Sequence, residues 1–182
     1  MASKKLIATL KEKAAAVQVI VSEVQNLEEA MAYAIGVTKN QGGATLAAPG
    51  WDETSRAAWQ ENCRQAGVEL LTENLRERAA DLHTGFTRAD WGIADTGTLM
   101  LDSSSEDLRL ATMLSETHVA VLPLSRLRGT STDLADEMNR LMQSPPRYLA
   151  FITGASRTAD IERVLTIGVH GPEELHLLLL KD

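Results

Sequence analysis

The residues best placed to do chemistry run from Phe151 to Glu162, Phe151-Ile152-Thr153-Gly154-Ala155-Ser156-Arg157-Thr158-Ala159-Asp160-Ile161-Glu162, and resume at Gly168-Val169-His170-Gly171-Pro172. An apolar, β-branched run that breaks into small polar residues and then acidic ones reads as a buried strand, a tight loop and a helix start. Open α/β sheets bind ligands at that kind of junction. A helix start offers unpaired N–H groups and about half a positive charge, and Arg157 adds a forked cation. Gly154, Ser156, Arg157, Thr158 and Asp160 can therefore frame a carboxylate or phosphate. The same residues also have a local reading, in which Ser156 or Thr158 caps the helix and Asp160 and Glu162 complement its dipole.

A second polar cluster, Asp95-Thr96-Gly97-Thr98, lies between two extended runs. Thr96, Gly97 and Thr98 can bring hydroxyls and backbone close to a ligand; equally, the four residues make a tight hairpin turn in which Gly97 supplies positive φ. Asp95 is a nucleophile or general base only with a partner and a pKa raised by burial. Of the four histidines, His118 and His176 fall in apolar strands and read as core residues, whereas His170, between Val169 and Gly171-Pro172, is the one placed to face a cleft and move a proton. Their spacing forms no metal-ligand pattern. Cys63, the single cysteine, has no Cys-x-x-Cys neighbour and reads as a structural thiol. No Gly-x-Gly-x-x-Gly, Walker loop or Gly-x-Ser-x-Gly elbow occurs.

The elements that must position these groups belong to one domain. A chain of 182 residues with 44% hydrophobic content buries one sizeable core, and with only 4% aromatic residues that core is aliphatic, which favours a layered α/β fold. The net charge of -7, with cations scattered among 25 acids, argues against a nucleic-acid partner. The N-terminal segment has no secretory pattern and the apolar runs are too short to span a bilayer, so the expectation is a cytoplasmic protein.

Residues 4–15 carry Leu6, Ile7, Leu10 and Ala14 at helical spacing, predicting an N-terminal helix (residues 1–15) that can lie as a peripheral arm beside a domain of residues 16–182. A strand or extended link over 17–24 and a helix over 27–39 follow, then strand 44–48, helix 52–65 and strand 68–71. Residues 74–82 predict a short helix, 83–87 a connecting loop, and 91–94 with 98–101 two extended runs. A helix follows the Asp102–Ser105 cap, an apolar strand covers 118–124, and a helix covers 133–142 before Pro145-Pro146. The runs 165–169 and 175–180 predict antiparallel or edge pairing. The sum is a mixed, mostly parallel sheet with helices on both faces.

The ordered set Ala94-Asp95-Thr96-Gly97-Thr98-Leu99, Leu101-Asp102-Ser103-Ser104, Thr117-His118-Val119, Thr153 to Glu162 and Gly168 to His176 resembles the LutC/YkgG family of lactate-utilization proteins, the LUD domain. The match is dense over the C-terminal half and general over the N-terminal half. Two positions depart from the family pattern, Asp95 where the family has Glu and Ala155 where it has Pro. The first withdraws a carboxylate by more than about 1 Å; the second loosens the loop by about 0.4–1 kcal/mol without removing a donor.

The resemblance implies a NagB/RpiA/CoA-transferase-like α/β fold and a subunit of a system oxidising L-lactate to pyruvate. It implies partner subunits that carry iron–sulfur clusters, while this chain, with one cysteine and no dinucleotide fingerprint, binds no cofactor itself. On this reading Arg157 and the Gly154 loop hold a small carboxylate, Thr96 and Thr98 hydrogen-bond it, and His170 moves a proton. Two other readings stay open: a free-standing enzyme of the CoA-transferase or sugar-phosphate-isomerase kind, and a structural or regulatory adaptor.

Overall fold

Apolar strands that are buried on both faces need covering layers on both sides, and the chain supplies them from helices and from a second sheet. A computed structural model describes residues 3–143, 147–158 and 166–182. Among them the elements are α1 (Lys4–Ala16), β1 (Ile20–Val24), α2 (Leu27–Asn40), β2 (Thr45–Ala47), α3 (Glu53–Ala66), β3 (Glu69–Leu71), a 3-10 segment (Leu75–Asp81), β4 (Thr84–Arg88), β5 (Trp91–Ile93) and β6 (Thr98–Asp102). Then come α4 (Glu106–Met113), β7 (Thr117–Pro123), β8 (Leu127–Arg128), α5 (Ala135–Met142), β9 (Leu149–Ile152), β10 (Arg157–Thr158), β11 (Thr166–Ile167) and β12 (Glu174–Leu180).

Local chemistry sets the helix starts. Asn26, Asp52 and Ser105 each accept a hydrogen bond from the backbone three residues on, at 2.8, 2.9 and 3.4 Å. Gly67, at φ 72°, ends α3 in the left-handed region.

Six strands form a wholly parallel sheet in the order β1-β12-β7-β4-β2-β3. β7 is buried along its whole length, and Leu175 and Leu177 to Leu179 of β12 are buried beside it. One face carries α2 and α3, with Trp51, Trp59 and Phe86 meeting at centroid separations of 5.0 to 5.5 Å. Against the other face lie α1, α4 and the inner side of a four-stranded sheet, β8-β5-β6-β9, whose Leu99 and Leu101 join Leu122, Leu177 and Leu179. The outer side of that second sheet, with Trp91, Ile93 and Met100, packs on Met138 and Leu141 of α5.

The α/β class and the parallel sheet follow the sequence expectation; several details do not. The antiparallel strands are a separate sheet, with β10 and β11 forming a further two-stranded ribbon. Residues 84–88, expected as a loop, are the inner strand β4. The glycine and threonines that made them look like a connection are demanded by tertiary contacts: a β-carbon on Gly85 would lie 2.1 Å from the carbonyl oxygen of Ala111 in α4, and Thr84 and Thr87 are hydrogen-bonded by Thr38 and His118. Segment 175–180, expected at an edge, sits parallel between β1 and β7. Helix α1 does not lie apart as an arm, because Leu10 and Ala14 are fully buried in the core between the two sheets.

The Gly85 contact yields a test. Gly85→Ala forces β4 and α4 apart and is expected to destabilise the protein by about 3 kcal/mol, as over-packing against main chain does; urea unfolding reads the loss as a lower midpoint.

Candidate functional site

The segment singled out in the sequence folds differently from its local expectation. Strand β9 is an outer strand of the four-stranded sheet, paired antiparallel with β6, and Phe151 on it is 47% exposed rather than buried. Arg157 and Thr158 are extended and form β10, paired with Ile167 and Thr166. The helix expected from Asp160, and Asp160 itself, lie outside the described residues.

Between β9 and β10 the chain turns at Gly154, at φ +82°, where a β-carbon would stand 2.8 Å from the carbonyl oxygen of Val17. Arg157 donates to that carbonyl at 2.7 Å and to Gln18 Oε1 at 2.9 Å. Its guanidinium is thus a strut that ties the loop to the link between α1 and β1. Ser156 N–H donates to the carbonyl of Pro172 at 2.9 Å, and Gly171 sits against the Ser156 side chain, so the loops 154–156 and 170–172 are clamped together.

Under these loops lies a cavity of about 330 Å³, at the small end of ligand pockets. Its walls come from α4 (Arg109, Thr112, Met113), β9 with Thr153 to Ser156, and the segment from His170 to Pro172, with His118 and Leu175 from the parallel sheet. His118 and Leu175 are the second residues of β7 and β12, so the cavity opens at the amino ends of those strands. The usual crevice of open sheets lies at the carboxyl ends. The cavity is displaced because the strand that delivers the loop belongs to the second sheet.

The lining is chemically one-sided. Among the described residues it holds one guanidinium, two imidazoles and the hydroxyls of Ser103, Thr112, Thr153 and Ser156, and no carboxylate, in a chain of net charge -7. Arg109 is half-buried; its Nη1 donates to the carbonyls of Ser103 and Ser104 at 2.6 and 2.9 Å, which fixes the fork. Among the described residues no carboxylate lies within ion-pair distance of it. Its guanidinium lies 5.4 Å from the centre of the Tyr148 ring, and its charge helps to hold the Glu106 carboxyl below the usual range. A second cleft, at the carboxyl ends of β2 and β4, is lined by Asp52, Asp90 and Asp102 against one arginine, Arg88, and its charge disfavours an anion.

Of the residues read from sequence, Gly154, Ser156 and His170 line the cavity, and His170 is exposed at its mouth. Thr98 and Thr96 stand behind it: Thr153 is 2.7 Å from Thr98, which donates to Thr96 at 2.8 Å. Gly97 packs on the end of α1, where a β-carbon would be 2.7 Å from Ala14 N. Asp95 is exposed in the β5–β6 turn, its N–H bound to the Gly129 carbonyl at 3.0 Å. Thr158 faces Thr166 across the ribbon.

Arg109 was not singled out in the sequence, and His118, read there as a core residue, is buried as expected but also lines the cavity. The spacing of Arg109, Thr112 and Met113 along α4 was the available signal for a second, polar-edged face on that helix. His118 is 1% exposed, and its Nε2 lies 2.8 Å from Thr87 Oγ1. Burial pushes its imidazole down to about 4. Cys63 is fully buried and its thiol is pushed up to about 11, as befits a structural residue.

The chain is thus a two-sheet α/β protein with an anion-favouring cavity between α4 and the second sheet. It belongs to the LUD domain family, whose model matches residues 7–180. Among similar proteins are lactate utilization protein C of Bacillus velezensis, 27% identical over 141 residues (76% of this chain, 56% of that protein), and of Macrococcus caseolyticus, 35% identical over 115 residues (60% and 48%). The Bacillus subtilis protein of the same name is 32% identical over 113 residues (60% and 47%). This chain spans about half the length of the curated relatives it matches. A crystal structure of a DUF162 family protein from Deinococcus radiodurans superposes with a TM-score of 0.66 over 97% of this chain and 96% of that one; at 17% identity the likeness is one of fold.

The depressed His118 makes stability pH-dependent. The folded protein keeps this imidazole neutral while the unfolded chain protonates it near 6.5, so its contribution is complete above about 6.5 and is lost as the pH falls to about 4. Unfolding free energy should fall by up to about 1.4 kcal/mol per pH unit from this residue. Denaturation series at several pH values check this, with the slope flattened in His118→Gln.

Proposed function

We propose that this LUD-family chain serves in lactate utilization by holding a small carboxylate, L-lactate or its oxidation product pyruvate, in the cavity beneath the 153–156 loop. The observation that carries this reading is the lining itself: a guanidinium fixed by backbone carbonyls among hydroxyls and imidazoles, with no carboxylate among the described lining residues to oppose an anion. The name borne by the relatives, lactate utilization protein C, supplies the metabolic context.

In this reading Arg109 takes the carboxylate with the donors that Ser103 and Ser104 leave free, a geometry suited to a planar anion. Thr153 and Ser156 lie within the same wall, and Thr98 and Thr96 hold Thr153 in place. His170, at the mouth, is placed to exchange a proton with solvent. Arg157 acts one step removed, by holding the Gly154 loop in place against Val17. Oxidation of lactate releases two electrons, and a chain whose single thiol is buried cannot ligate a cluster with cysteines of its own. The electrons are therefore assigned to iron–sulfur partner subunits, with this chain as the component that binds or presents the acid.

Calorimetric titration with L-lactate and pyruvate tests the reading. Wild type binds at least one of them, and Arg109→Ala weakens binding about 10- to 100-fold, as expected for a lost charge-assisted pair. Arg157→Ala lowers stability and reduces affinity less. Wild-type protein silent to both acids, or Arg109→Ala binding as wild type does, overturns the assignment.

A further inference from the structure

We propose that His118 and Thr87 form a hydrogen-bond switch in the cavity that lets it accept both a 2-hydroxy acid and the matching 2-keto acid. The proposal rests on the carboxylate reading of this cavity and adds what recognises the rest of the ligand.

A carboxylate on Arg109 leaves its C2 oxygen to be read by another group. His118 lines the same cavity from β7, with only 1% of its surface exposed. A neutral imidazole has one N–H and one lone pair. Nε2 is taken by Thr87 Oγ1 at 2.8 Å, and Nδ1 has no protein partner among the described residues. With Nε2 taken, Nδ1 is the ring nitrogen left to hydrogen-bond a ligand in the cavity that His118 lines.

Thr87 makes the imidazole reversible. Its hydroxyl can donate or accept, and among the described residues His118 is its side-chain hydrogen-bond partner. When Thr87 donates to Nε2, the single ring proton sits on Nδ1, which can donate to a keto oxygen. When Thr87 accepts from Nε2–H, Nδ1 presents a lone pair that accepts from a 2-hydroxyl. The imidazole carries one proton in both states. Because burial holds this group far below neutrality, it stays uncharged and either tautomer is available near pH 7. A lysine or arginine at this position could only donate, and a carboxylate could only accept while repelling the acid.

The test uses the intact chain with ¹⁵N-labelled histidine, titrated with L-lactate, pyruvate and propionate, which lacks the C2 oxygen. The His118→Gln variant assigns the His118 signals among the four histidines. Nitrogen shifts should report the proton on Nδ1 with pyruvate bound and on Nε2 with L-lactate bound. Propionate should bind at least 10-fold more weakly than either. Thr87→Val, which keeps the shape and removes the hydroxyl, should weaken both acids about fivefold, because either tautomer then leaves Nε2 unpaired. The same tautomer with both acids, propionate bound as tightly as lactate, or unchanged affinities in Thr87→Val overturns the switch and leaves the carboxylate site standing. Failure of all three acids to bind overturns both.

Discussion

The placement of α4 depends on a contact between main chains. The carbonyl oxygen of Ala111 occupies the space a β-carbon of residue 85 would fill, so α4 lies directly on the parallel sheet at β4. That closeness brings Arg109, Thr112 and Met113 over the start of β7 and β12, where they form one wall of the cavity. The opposite wall is delivered by β9, on a different sheet, and is held by Gly154 against the Val17 carbonyl. The site is therefore a junction of layers rather than a feature of any one element.

Electrostatics gives the junction its chemical character. The acids that make the protein anionic lie largely on exposed surfaces, where Glu61, Glu69 and Glu106 pair with nearby arginines that hold their carboxyls below the usual range. Such exposed pairs add little stability. Among the described residues none of the acids lines the cavity, where Arg109 is held by the backbone carbonyls of Ser103 and Ser104. Beside it, His118 supplies directional polarity without charge.

Much of the architecture could be read from local pattern. Helices α2, α3 and α4 begin at caps visible in the sequence, and β7 declares itself by an unbroken apolar run. Strand β4 did not, because Gly85 and its flanking threonines answer to α4, Thr38 and His118 rather than to strand propensity. The order of β12 within the sheet was equally hidden: Glu174 to Leu180 would suit an edge or a centre, and its neighbours, β1 and β7, are far from it in sequence.

For the site, the sequence by itself marked segments that the fold brings together. The loops containing Gly154, Ser156 and His170 are marked by residue type and by the motifs of the LUD family, and they do line one cavity. Tertiary structure alone decided which cation faces it. Arg157 and Arg109 are equally capable of holding a carboxylate as isolated side chains. Arg157 is drawn away by the carbonyl of Val17, 140 residues earlier, while Arg109 is aimed inward by the carbonyls of Ser103 and Ser104. A side chain's chemistry is written in its type, but its direction is set by the partner across from it, and that partner is chosen only when the layers pack.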